Sequence, residues 1–121
     1  MKKLLLVLFL GFTSLFAFEE LTVDNFDQKI KNKNVVVDFY ASWWGACKVL
    51  GKNLTKYNAS LKPDNVEIYK VNIETQKELS KRFKINALPI LIYFKDEKQV
   101  AKEAGVKSPE QLQKKVTEYL Q

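Results

Sequence analysis

One short run of residues, 35–40, places the strongest constraint on the fold of this chain. It reads VVVDFY, and every position except Asp38 is β-branched or aromatic. A continuous apolar run of this length is typical of a strand that is buried on both faces of a sheet. Such a strand needs a layer packed against each face, so we expect a central sheet that is covered on both sides.

The rest of the pattern predicts alternating strands and helices. The segment 90–94, ILIYF, has the same buried character as 35–40, and the intervening segments repeat apolar residues every three or four positions. The predicted order is βαβαβαββα, an α/β fold with a mixed sheet sandwiched between helices. The predicted elements are an extended piece at 21–23, a helix N-capped by Asp24, strand 35–40, helix 47–61, strand 66–73, helix 75–83, strand 90–94, a hairpin turn at 95–98, edge strand 99–104, and a helix N-capped by Ser108 with Pro109 and Gln111 in its first turn.

The first 17 residues are predicted to be a signal peptide. Lys2 and Lys3 precede an apolar run at 4–10, and the small residue Ala17 closes the segment. The mostly apolar stretch 4–18 is shorter than the roughly 20 residues of a comfortable membrane span. We therefore predict cleavage after Ala17, a single domain at 18–121 and a periplasmic or secreted location, with an uncleaved membrane anchor as the alternative.

The composition of the chain argues against several classes of function. The net charge is +6, from 20 Lys and Arg against 14 Asp and Glu, but no basic run carries interleaved aromatics, which argues against nucleic-acid binding. Histidine is absent, which removes the commonest general base and the commonest metal ligand. No cofactor or metal is predicted, and a monomer is expected. The single cysteine, Cys47, cannot form an internal disulfide, so it is either buried and inert or open to intermolecular chemistry.

Residues 37–48, VDFYASWWGACK, resemble the active-site stretch of thioredoxins. That family has an apolar strand with an Asp, an aromatic pair, and then Trp-Cys-Gly-Pro-Cys-Lys. Segment 70–74 is similar to the family's strand with a buried lysine, 88–90 resembles the loop with its cis-proline, and Gly105 matches a glycine after the last strand. The resemblance runs from about residue 21 to the C-terminus and implies the thioredoxin fold.

Two departures from the family pattern affect the chemistry. Trp44 stands where the family has its first, nucleophilic cysteine, and Ala46 stands where it usually has proline. Cys47 corresponds to the second cysteine, which acts only after the first has formed a mixed disulfide. Ordinary dithiol–disulfide cycling is therefore excluded for this sequence.

The resemblance also implies roles for other residues. Asp38 matches the proton acceptor for the second cysteine, and Lys70 matches a lysine near it, so we expect both Asp38 and Cys47 to be buried with Lys70 within reach of the carboxylate. The alternatives are a purely structural Asp38–Lys70 pair and an inert, buried Cys47. The residues expected to contact substrate are Trp43, Trp44, Leu88 and Pro89, with a cis bond before Pro89.

Three hypotheses about function follow. The first is a thioredoxin-like thiol–disulfide exchange protein of an extracytoplasmic compartment, which is inactive or impaired as written. Its partners would be protein thiols and disulfides, with a membrane redox protein as a candidate partner. The second is a non-catalytic, chaperone-like module that holds an extended peptide against Trp43, Trp44 and Pro89. A plain structural domain with no groove function is the third reading.

Overall fold

The computed structural model describes residues 18–121, so the predicted signal peptide lies outside the described residues. The order of elements is the predicted βαβαβαββα. In the described part of the chain, no helix combines the length and apolar character needed to cross a membrane. The elements are β1 (Glu19–Glu20), α1 (Phe26–Lys29), β2 (Asn34–Tyr40), α2 (Gly45–Ser60), β3 (Val66–Asn72), α3 (Lys77–Arg82), β4 (Ile90–Lys95), β5 (Lys98–Ala104) and α4 (Pro109–Leu120).

The five strands form one mixed sheet in the order β1-β3-β2-β4-β5. Strand β2 lies at the centre, parallel to β3 and antiparallel to β4. The parallel pair is joined by α2, as a parallel connection requires a crossover, whereas β4 and β5 are joined by a two-residue hairpin turn. Asp96 and Glu97 in that turn have positive φ values of 47° and 72°, as expected for the turn type that matches strand twist. The predicted hairpin and edge strand are therefore confirmed.

Alternate residues of β2 enter two separate cores, because successive side chains of a strand point to opposite faces. Val35, Val37 and Phe39 belong to the core that includes Phe26 of α1 and Leu79 of α3. Val36 belongs to the second core, which is formed mainly by residues of α2 and α4, among them Leu50, Leu54, Leu112 and Val116. The sandwich predicted from the apolar run is confirmed. By the same alternation, Asp38 shares the face of Val36 and lies beneath α2.

The first two elements begin at other residues than predicted. The strand lies at Glu19–Glu20 rather than 21–23, and the first helix has Asn25 rather than Asp24 at its N-cap. The Asn25 carboxamide accepts a hydrogen bond from the Thr22 amide at 2.8 Å, which closes a turn at the place where an extended piece was expected. Strand β1 exists because it pairs in parallel with β3, a long-range contact that no local pattern reveals.

The N-terminus of α4 has the capping box that its sequence predicts. The Ser108 hydroxyl accepts a hydrogen bond from the Gln111 amide at 3.1 Å, and the Ser108 amide donates to the Gln111 side chain at 2.9 Å. Because these bonds satisfy amides that the helix cannot pair, we expect Ser108→Ala to lower the free energy of unfolding by about 1 kcal/mol. Urea unfolding checks this value. Ser60→Ala, at the exposed C-terminal end of α2, should change it by less than about 0.5 kcal/mol, and an equal loss in both variants would contradict the capping role.

Candidate functional site

The candidate site lies where β2 ends and α2 begins. Trp44 occupies the N-cap of α2, and its carbonyl accepts hydrogen bonds from the amides of Cys47 at 3.1 Å and Lys48 at 3.3 Å. The Trp44 side chain contributes no capping hydrogen bond. An indole therefore stands at the N-cap, the position that the sequence resemblance matches to the family's first cysteine, and Cys47 lies in the first turn of the helix.

Cys47 is buried, as predicted, with 4% of its surface exposed. Burial is the largest influence on its thiol and raises the pKa, and the nearby Asp38 carboxylate raises it further. The Ala41 backbone and Lys70 act in the opposite direction but do not reverse the shift. The thiol is therefore mostly protonated at neutral pH, even though the helix N-terminus favours a thiolate.

Asp38 is completely buried, again as predicted. Neither of its carboxylate oxygens has a hydrogen-bond partner among residues 18–121. Burial is the largest influence on this carboxyl and raises its pKa to about 7. The charge of Lys70 lowers the pKa by less, and the charge of Glu20 raises it further. An unpartnered carboxyl beneath the helix turn that carries Cys47 is costly to keep, because a buried polar group without a partner destabilises the folded state.

Lys70 lies beside Asp38 in the sheet, since the two residues are direct partners across β2 and β3. No ion pair within 4 Å joins the Lys70 ammonium and the Asp38 carboxylate, so the structural pair that the sequence analysis named as an alternative is not formed as a salt bridge. The ammonium instead lies over the ring of Tyr40, 4.2 Å from its centroid. The face of an aromatic ring attracts a cation, which explains this position. Its influence on Asp38 is through space. The Tyr40 hydroxyl donates to Glu20 Oε2 at 2.7 Å.

The four predicted substrate-contact residues are only partly brought together. Trp43 and Trp44 are 63% and 45% exposed, and their rings lie nearly perpendicular with centroids 5.5 Å apart. They line an apolar depression of about 320 Å³ with Leu88, whereas Pro89 is buried and does not line it. The Leu88–Pro89 bond is cis, as predicted, and the Pro89 carbonyl accepts from the Gly105 amide at 3.0 Å. We call this depression the indole surface; its further lining residues include Ile73, Ile85 and Ala87.

A second, larger cleft of about 490 Å³ reaches Cys47 and shares no lining residue with the indole surface. Lys70 and Tyr40 line it from the sheet, and one face of α2 lines it from the other side, including Lys48 and Lys52. Sequence reasoning missed this cleft, and it also missed Ile73 and Ile85. The repeat of lysines one helical turn apart, beginning directly after Cys47, was the available signal for the cleft, whereas Ile85 follows a turn and has no local signal.

Comparison with known proteins agrees with this geometry. The family model described as Thioredoxin matches residues 17–118. The chain belongs to the thioredoxin family. It is 33% identical over 96 residues to a thioredoxin of Chlamydia trachomatis, covering 79% of this chain and 92% of that protein. It is also 35% identical over 102 residues to a thioredoxin of Alicyclobacillus acidocaldarius, with 84% and 96% covered.

Solved thioredoxin structures have the same fold. The thioredoxin of Malassezia sympodialis is similar with a TM-score of 0.76 at 30% identity, covering 85% of this chain and 90% of that one. The oxidised mitochondrial thioredoxin 3 of Saccharomyces cerevisiae has a TM-score of 0.76 at 29% identity, covering 87% and 98%. Members of the thioredoxin family act on protein thiols and disulfides. The family therefore supports a thioredoxin-like thiol–disulfide function.

Proposed function

We propose that this chain is an exported thioredoxin-family protein whose framework serves thiol–disulfide exchange with protein substrates, and that Trp44 blocks its catalytic cycle. The observation that carries the proposal is the site itself. Cys47, the single thiol of the chain, lies buried in the first turn of α2 above the buried carboxyl of Asp38, and an indole occupies the N-cap. The proposed export rests on the signal-peptide pattern of residues 1–17, with 18–121 as the mature domain in the periplasm or outside the cell.

The block follows from the order of steps in dithiol exchange. An exposed thiolate attacks a substrate disulfide and forms a mixed disulfide, and a second thiol then attacks that bond and releases the reduced substrate. Cys47 occupies the second position, where burial suits a thiol that waits for a nearby mixed disulfide. With no thiol at position 44, the first step has no nucleophile at the helix N-terminus. Any adduct that Cys47 forms has no second thiol in the chain to release it.

We expect no disulfide-reductase turnover from the unaltered protein, and slow modification of its thiol. Labelling of Cys47 with iodoacetamide at neutral pH should be about tenfold or more slower in the folded protein than in the unfolded chain, because burial hides the sulfur and raises its pKa. Mass spectrometry after timed quenching gives both rates. Equal rates would mean an open and activated thiol, and repeated turnover on a protein disulfide would refute the proposal.

One observation favours peptide binding as a second candidate function. The indole surface presents two exposed tryptophans beside Leu88, and exposed large apolar groups in one patch often mark a binding site. Under this hypothesis an extended peptide contacts the indoles non-covalently, whether or not exchange follows.

Trp43→Ala tests the second candidate. For a cysteine-free apolar peptide, we expect the dissociation constant to rise by about 30-fold, which corresponds to the loss of about 2 kcal/mol typical of a central aromatic contact. Isothermal titration calorimetry measures the affinity without relying on tryptophan fluorescence. Val100→Ala is the matched control, since Val100 is an exposed apolar residue on β5 outside the indole surface. An equal effect of both variants, or no binding by the unaltered protein, would exclude this role.

A further inference from the structure

The cleft on the sheet side of Cys47, here named the lysine cleft, has the size of a small-molecule site. Its volume of about 490 Å³ falls within the usual range for such sites. Tyr40 and Lys70 line it from the sheet, and Cys47, Lys48 and Lys52 line it from α2. It thus brings the single thiol of the chain to the wall of a pocket that is separate from the indole surface.

The lining of the lysine cleft carries more positive than negative charge. Three of its lining residues are lysines, and no carboxylate of residues 18–121 lies within 4 Å of their ammonium groups. Helix α2 contains no acidic residue that could neutralise Lys48 and Lys52 from the same helix. The lining also contains the carboxylate of Glu20, which accepts the hydrogen bond from Tyr40 and offsets one of the three lysine charges. Like charges one helical turn apart are mildly unfavourable, and several together attract anions into a concave site.

A glycine in the middle of α2 keeps the lysine cleft open. Gly51 lies one turn beyond Cys47 on the same helix face and lines the cleft. A side chain there would have its Cβ 3.7 Å from the Lys70 ammonium, an ordinary contact distance, so packing does not demand glycine. Glycine inside a helix costs about 0.5–1 kcal/mol relative to alanine. Alanine would make the helix more stable at this position, but its methyl group would reduce the space between the thiol and Lys70.

From this arrangement we infer that the lysine cleft binds acidic low-molecular-mass disulfides and that Cys47 is their site of attachment. Carboxylates of the ligand pair with Lys48, Lys52 and Lys70, and its disulfide lies against the wall formed by Cys47. In the reaction, the Cys47 sulfur forms a bond to one ligand sulfur while the ligand S–S bond breaks. The other half leaves as a thiol and carries the proton that Cys47 loses, so Cys47 is oxidised and the ligand disulfide is reduced. This modification requires neither a thiol at position 44 nor a peptide on the indole surface.

The test compares three disulfides that differ in charge. Glutathione disulfide is anionic, bis(2-hydroxyethyl) disulfide is neutral and cystamine is cationic at neutral pH. The full chain is incubated with each reagent at low ionic strength, and mixed-disulfide formation is followed by intact mass spectrometry. Each rate is divided by the rate for the same reagent with the chain unfolded in guanidinium chloride, which removes differences in intrinsic reactivity. We expect the normalised rates to fall by about tenfold or more from the anionic to the cationic reagent, and added salt to reduce that difference.

Two charge reversals separate the cleft from the overall charge. Lys52→Glu should slow the anionic reagent and speed the cationic one by several-fold. Lys98→Glu makes the same change in net charge on the distant edge strand β5 and should leave all three rates unchanged. Gly51→Leu, which places a side chain in the cleft, should slow all three reagents in a protein whose circular dichroism spectrum is unaltered. Equal normalised rates, equal effects of Lys52→Glu and Lys98→Glu, or no adduct with any reagent under conditions that modify the unfolded chain would each overturn the inference.

Discussion

Trp44→Cys should convert the protein from one without turnover into a disulfide reductase. The new thiol would stand at the N-cap of α2, where the unpaired amides and the helix dipole favour a thiolate. Cys47 already lies one turn further along the helix and would release the mixed disulfide. Supplying a missing nucleophile typically changes rates by several orders of magnitude. Reduction of a protein disulfide, with dithiothreitol as the regenerating reductant, measures the gain above the background of dithiothreitol alone.

Trp43→Cys is the matched control for that experiment. It removes the neighbouring exposed indole and adds one thiol, but one residue before the N-cap and in the wrong register with Cys47. We expect no turnover above background from this variant. If both variants gain activity to the same extent, any thiol near the indole surface suffices, and the assignment of position 44 is wrong. If neither gains activity while both remain folded, the framework is not catalytic and the peptide-binding hypothesis is strengthened.

Asp38→Asn should remove a large pH dependence of stability. The pKa of the buried carboxyl is about 7, above its ordinary value of 3.8, so the folded state binds more protons than the unfolded state between these values. The contribution of Asp38 to stability is therefore fully present below about pH 3.8 and is lost as the pH rises through 7. At 1.36 kcal/mol per pKa unit, the loss is on the order of 4 kcal/mol, a substantial fraction of the stability of a small domain.

Urea unfolding of both proteins from pH 4 to 8.5 measures this effect. We expect the difference in free energy of unfolding, variant minus unaltered protein, to rise by about 4 kcal/mol across the range and to level off above pH 7. The subtraction matters because Glu103 affects both proteins equally. Burial raises the pKa of its carboxyl, but the Tyr119 hydroxyl and Lys107 outweigh burial and lower it overall. Glu103 therefore makes the free energy of unfolding of both proteins rise with pH at low pH, opposite to the effect of Asp38. Asp64→Asn, at an exposed turn before β3, should show no such rise. A flat difference for Asp38→Asn would mean that its carboxyl is accessible to water.

The parts of the fold that were predictable are those with a strong local signal. Strand β2 is marked by three consecutive valines, and the start of α4 by Ser108 and Gln111 at capping-box spacing. Strand β1 was misplaced because its two residues are held by pairing with β3 and by the Leu21 amide, which donates to the Lys70 carbonyl at 2.8 Å. No property of residues 19–20 alone makes them a strand.

The candidate site also has features that the sequence reveals and features that it does not. Asp38, Trp44 and Cys47 were identifiable because they fall within one continuous motif next to a predicted strand. The position of the Lys70 ammonium over Tyr40 was not, since it depends on the geometry of two neighbouring strands. Surfaces assembled from several elements, such as the lysine cleft, appear only when the sheet and α2 are placed together.

If Trp44 is what prevents dithiol exchange at this site, a mixed disulfide can be trapped at position 44 once a cysteine replaces it. Trp44→Cys combined with Cys47→Ser is incubated with a peptide disulfide, in parallel with Trp44→Cys alone, and adducts are followed by intact mass spectrometry. We expect a stable adduct at position 44 in the double variant, and its rapid release with formation of an internal disulfide when Cys47 is present. An adduct that persists equally in both proteins would show that Cys47 is not placed to resolve it, and would refute the proposal that Trp44 blocks an otherwise working dithiol site.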